Sequence, residues 1–129
     1  MTLIRTADRE KLTAGNRPAG CTAHSAGRFR LRAAGTSHFD RHHHDFDEFW
    51  LVAAGTGTIM LGDAELGIQP GDIIYTTAGT SHDVLAVTSS GDLYVFWLSW
   101  TLPDGAKGQH LHRDPADAAG HLVPGPVPA

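Results

Sequence analysis

Residues 28–34 alternate in character: Phe29, Leu31 and Ala33 fall on one side, Arg28, Arg30 and Arg32 on the other. A period of two predicts a strand with one buried and one solvated face. Apolar runs follow at 48–54 (EFWLVAA) and 57–61 (GTIML), joined by Gly55-Thr56-Gly57, which reads as a hairpin turn. Further strands are predicted at 65–69, 72–76, 82–88 and 93–100, separated by turn signals at Gly62–Glu65, Pro70-Gly71-Asp72 and Ser89–Asp92. Short strands spaced by ~8–12 residues predict an all-β sandwich or barrel. The two ends differ. Residues 1–27 carry no sustained period and read as an N-terminal arm or a short leading strand, the barrel core as 28–100, and 101–129 as a C-terminal extension. That extension holds Pro103, Pro115, Pro124, Pro126 and Pro128, five of the seven prolines, so an extended tail is expected from Pro124. Asp114-Pro115 is placed to cap and start one helical turn.

Composition narrows the function classes. The chain has 129 residues, enough for one domain. Its net charge of −4 argues against nucleic acid as a partner. No apolar run approaches the ~20 residues of a membrane-spanning helix. The first residues, MTLIRTADREK, lack an apolar export segment, so a cytoplasmic location is expected. The single cysteine, Cys21, removes disulfides and multi-cysteine zinc sites and reads as an ordinary small side chain. The nine histidines, nearly as many as the ten Lys plus Arg, point to metal or proton chemistry.

The chemistry concentrates in His42-His43-His44-Asp45-Phe46-Asp47-Glu48. On a strand His42 and His44 share a face and His43 takes the other. If 45–47 turn the chain, Glu48 returns beside the two imidazoles, and His82, after the Gly79-Thr80-Ser81 turn, is a fourth candidate. Neutral imidazoles with a carboxylate suit a divalent transition metal (Fe, Mn, Ni, Co, Cu or Zn), and four such ligands leave two positions of a six-coordinate ion open.

The pattern Gly35, His42, His44, Glu48, Gly55, followed by Gly71, Gly79 and His82, resembles the two motifs of the cupin superfamily. The first spacer is six residues rather than five, and Thr77 and Ala86 stand where the second motif has proline and asparagine. The resemblance implies a jelly-roll β-barrel with one metal ion on His42, His44, Glu48 and His82. Strand parity turns Trp50, Val52, Val84 and Ala86 inward as an apolar pocket around it. It also implies a small oxygen-rich organic ligand. As an enzyme such a protein would be a dioxygenase or isomerase, with Glu48 as catalytic base. The stretch 39–100 also resembles the sugar-sensing arm domain of arabinose-type regulators, which makes a non-catalytic binding module the alternative. Cupin barrels pair, and the two-sided apolar strand 93–100 fits a homodimer face.

The remaining polar residues receive plainer readings. His38 and Asp40 are expected on a surface loop, the alternative being a place at the barrel mouth as proton-transfer groups or partners of the metal ligands, and Asp45 and Asp47 as turn formers. His43 and the pair His110 and His112 are expected in solvent. The alternative for the pair is a tail folded over the barrel that offers a histidine to the ligand.

Overall fold

A computed structural model describes residues 3–7, 11–33 and 39–118. Among the described residues ten strands form nearly all of the regular structure: β1 (Lys11–Leu12), β2 (Ser25–Leu31), β3 (His43–His44), β4 (Glu48–Ala54), β5 (Gly57–Leu61), β6 (Ala64–Ile68), β7 (Ile73–Thr76), β8 (His82–Val87), β9 (Leu93–Ser99) and β10 (His110–Leu111). One 3₁₀ turn, Pro115–Ala118, follows, and its first turn is closed by the Asp114 carboxylate accepting from the Ala116 N–H.

The strands make a five-stranded sheet in the order β1-β2-β9-β4-β7, a three-stranded sheet β6-β5-β8 and the pair β10-β3, all antiparallel. A bridge between His42 and His82 links the lead-in to β3 with β8. This is the jelly-roll barrel of a cupin.

Alternation on β4 sets the inside. Glu48, Trp50 and Val52 are buried, while Phe49 and Leu51 face out. Register carries that face across the sheet: Trp50 lies opposite Ile74 and Trp97, and Val52 opposite Val95. With Leu31, Ile59, Ile68 and Leu93 these side chains form the core. Gly55 turns the chain into β5 at φ 78°. A Cβ there would lie 2.3 Å from the Asp92 carbonyl oxygen, so the position needs glycine twice over.

Two expectations are corrected. The barrel reaches beyond 28–100, because β1 adds a strand to the large sheet and β10 pairs with β3. Ala86 does not point inward. In the β5–β8 ladder Ile59 pairs with Val84 but Thr58 pairs with Ala86, so Leu85 is an extra residue and parity flips there. Val84 and Val87 pack on the core, and Leu85 and Ala86 are exposed. The expected Gly35 turn, His38 and the Pro-rich end from Pro124 lie outside the described residues.

Candidate metal centre

The fold brings His42, His44 and His82 together from three elements: the lead-in to β3, β3 itself and the start of β8. Their ligating nitrogens all lie within 4.8 Å of one another, and all three residues are buried. Glu48 enters from β4, its Oε2 3.4 Å from His44 Nε2 and its Oε1 accepting from the Trp50 indole N–H at 2.5 Å. The i, i+2 spacing on β4 puts Glu48 and Trp50 on one face and makes that bond.

The proton positions are set by what the rings touch. His42 Nδ1 lies 2.8 Å from the Asp40 carbonyl, His82 Nδ1 3.2 Å from the Thr80 carbonyl and His44 Nδ1 3.3 Å from the Gln109 carbonyl. A carbonyl only accepts, so each Nδ1 carries the proton and donates. Each ring then turns its Nε2 toward the common point. Burial, with the neighbouring His42, pushes His44 down to about 2 and His82 down to about 3, so both rings stay neutral at physiological pH.

His42 Nε2 and His82 Nε2 are 3.0 Å apart. At that distance the two nitrogens either share one proton or, with both bare, repel, and His44 Nε2 likewise faces the Glu48 carboxylate. A cation between them removes both repulsions. The 3.0 Å separation also matches two nitrogens in adjacent positions ~2.1 Å from one ion. The donor set therefore fits a divalent metal. Burial pushes the Glu48 carboxyl up, opposed by the Trp50 hydrogen bond.

Register builds a polar row across the inner face that residue patterns alone do not reveal. Ser25 lies opposite Ser99, Ser99 opposite Glu48, and Glu48 opposite Thr76. Ser25 and Ser99 share a hydrogen bond of 2.7 Å, whereas Thr76 Oγ1 is buried without a partner. A cavity of about 570 Å³ runs up to the centre, walled by Phe29, Phe39, Phe46, Trp50 and Trp97, with Glu48, His42 and His44 among its polar lining. Of the four expected pocket residues, Trp50 lines this cavity. Val52 and Val84 pack in the core, and Ala86 is exposed.

A second cluster corrects the surface readings of Asp40, His110 and His112. Asp40 is 4% exposed, and its Oδ2 accepts from His110 Nε2 at 2.8 Å and from His112 Nε2. Burial alone would raise the Asp40 carboxyl, but hydrogen bonds from His110, His42 and His112 hold it well below the usual range. The His110 ring stacks on His42 with centroids 3.7 Å apart. The chain after Trp100 thus folds back onto the barrel. Nor is Asp45 a local turn former: its carboxylate accepts from the backbone N–H groups of Lys107 and Gln109, both at 2.7 Å. Asp47 bridges to Tyr75 and to the Ala78 N–H. His43 is half-buried rather than in solvent, its Nδ1 buried without a partner.

A jelly-roll barrel with three histidines converging beside a strand-borne glutamate makes this chain a small cupin. Within that superfamily it belongs to the AraC-like ligand binding domain family, whose pattern matches residues 27–113. It is 32% identical over 84 residues, 64% of this chain, to protein y4oW of Sinorhizobium fredii, and spans 38% of that relative's length. Among solved structures it is similar to the plu4264 protein of Photorhabdus luminescens, with a TM-score of 0.60 and 21% identity over 78% of this chain and 88% of that one. A cupin 2 conserved barrel domain protein of Salinispora arenicola superposes with a TM-score of 0.56 and 15% identity, over 70% of this chain and 73% of that one. At these identities the structural likeness speaks to the fold.

Proposed function

We propose that His42, His44, His82 and Glu48 hold one divalent transition-metal ion, and that the ion anchors a small oxygen-rich organic molecule in the adjoining cavity. The observation that carries this is the ring geometry. Three buried imidazoles each set Nδ1 within 3.3 Å of a backbone carbonyl and turn Nε2 toward one point, with 3.0 Å between two of them. Outer partners that fix the tautomer of each ring are the usual accompaniment of metal-ligating histidine. When bound, the ion supplies Lewis acidity and, if redox-active, oxygen chemistry.

This chain's own residues do the rest. The aromatic walls exclude water and orient a planar ligand. Glu48, kept in place by the Trp50 N–H at Oε1, takes a proton from the bound molecule at Oε2 once that oxygen loosens from the ion. Dioxygenation or isomerisation is the turnover proposed. Membership of the AraC-like ligand binding domain family supports a second reading, in which the same pocket binds its ligand without converting it. Incubating the metal-loaded protein with diketones, catechols and ketoses separates the two: product formation supports the enzyme, and saturable binding without product supports the sensor. Absence of both sinks the proposal.

Two copies are proposed to pair through the outer face of the five-stranded sheet. Register aligns Phe96, Leu51 and Ile73 in one row and Leu98, Phe49 and Tyr75 in the next, and Ile73 is 67% exposed. Phe96→Asp should convert a dimer to a monomer in light scattering. A wild-type monomer at micromolar concentration would contradict the pairing.

A further inference from the structure

The segment 107–113 touches the surroundings of all three histidines. Its Gln109 carbonyl accepts from His44 Nδ1, and β10 pairs with β3 so that His110 lies opposite His44. His110 stacks on His42, and His110 and His112 together hold the Asp40 carboxylate, whose residue supplies the carbonyl that fixes His42. Arg113 donates to Ser81 Oγ and to the Gly79 carbonyl in the turn that delivers His82. Two features hold this crossing in place. One is the Asp45 carboxylate, with one oxygen on Lys107 N–H and the other on Gln109 N–H. The other is Gly108, at φ 74°, where a Cβ would lie 2.7 Å from His24 Nε2.

From these contacts we infer that residues 107–113 are a positioning strap for the metal centre, anchored by Asp45. The inference rests on the functional reading above and adds to it. Its His110 lies within ligating distance of Asp40 and His42 but commits Nε2 to the Asp40 carboxylate. The strap orders the ligand rings by fixing which nitrogen of His44 bears the proton and where the His42 ring lies. Asp45 is a positioning residue, three contacts removed from the ion: carboxylate to strap, strap carbonyl to His44 Nδ1, and His44 Nε2 to the centre.

The tests use Asp45→Ala, which removes both acceptors, Asp45→Asn, which keeps one, and Gly108→Ala, which strains the crossing without touching the β3–β4 turn. Cobalt(II) and zinc(II) affinities are measured by competition, with the visible spectrum of the cobalt form. The imidazole tautomers of the metal-free protein are read by long-range ¹H–¹⁵N correlation. Loss of an outer partner of this kind weakens metal binding by about 10–100-fold. Asp45→Ala and Gly108→Ala should fall in that range with one ion per chain retained, a shifted cobalt spectrum, and a metal-free His44 that no longer holds its proton on Nδ1 alone. Asp45→Asn should lie between them and the wild type. Wild-type affinity, spectrum and tautomer in both disruptive variants would overturn the strap, as would unfolding of both, since the segment would then be a folding element. If the wild type binds no ion, the functional reading fails. The tautomer of metal-free His44 still tests the strap in that case.

Discussion

Replacing Trp50 with Phe isolates one contact in the centre. The change keeps an aromatic ring against Phe29 and Phe39 and deletes the indole N–H that bonds Glu48 Oε1 at 2.5 Å. Trp50 is 2% exposed and Glu48 6% exposed, so water cannot readily replace the donor. Removing a hydrogen bond to a buried charged acceptor costs about 1.5–3 kcal/mol. The smaller ring adds a packing loss of about 1 kcal/mol. The two parts separate by pH. Without its donor the Glu48 carboxyl moves up further, so the folded state is penalised above the unfolded carboxyl's range, and the penalty disappears once both states are protonated below it. The packing loss does not titrate. Urea unfolding of metal-free wild type and variant should therefore give a difference of about 3 kcal/mol at pH 7, shrinking to about 1 kcal/mol by pH 4. A difference that is the same at both pH values would refute the reasoning, because the lost interaction would then be packing alone.

Other consequences are measurable on the same material. The metal-free protein should lose stability as pH falls from 7 to 4. The unfolded chain takes up protons on histidine near 6.5, the folded chain only near 3 at His82 and near 2 at His44. Each group contributes at most about 1.4 kcal/mol per pH unit below 6.5, and the raised Glu48 carboxyl offsets part of it. A urea midpoint that stays flat or rises on acidification would contradict this. Gly55→Ala, at φ 78° with backbone 2.3 Å from the new Cβ, should destabilise by about 3 kcal/mol or more in urea unfolding. A cost under about 1 kcal/mol would mean that the β4–β5 turn relaxes freely.

Sequence pattern carried some parts of this molecule much further than others. The strict alternation of β4 placed Glu48, Trp50 and Val52 inward because nothing interrupts that stretch before the bulge between Val52 and Ala54. His42 and His44 could be assigned one face from their spacing alone. Parity failed on β8, where Leu85 is inserted opposite β5. A bulge has no residue signature in VLAV, and every side chain beyond it changes face. The Asp40–His110–His112 cluster was legible only as the alternatives of a barrel-mouth Asp40 and a tail folded over the barrel, because its partners are 70 and 72 residues apart and the segment between Trp100 and Pro115 has the Gly/Pro content of a loop. The hint in the tail was the repeat of His-x-His spacing at 110–112. Asp45 misled for a related reason. Aspartate in a turn reads as bonding its own backbone, whereas this one reaches across to Lys107 and Gln109. The row Ser25–Ser99–Glu48–Thr76 exists only through strand register, which no local pattern specifies.

The central claim is that three buried imidazoles and Glu48 form a preorganised site for one divalent ion. It is tested most directly by titrating metal-free protein with cobalt(II) or zinc(II) and following both stoichiometry and thermal stability, beside His42→Ala. The account predicts one ion per wild-type chain. At an ion concentration 1,000 times Kd it predicts a stabilisation of about 4 kcal/mol, and it predicts loss of most of that gain in His42→Ala. Wild-type protein that takes up no ion, or a variant that is stabilised as much as the wild type, would contradict it.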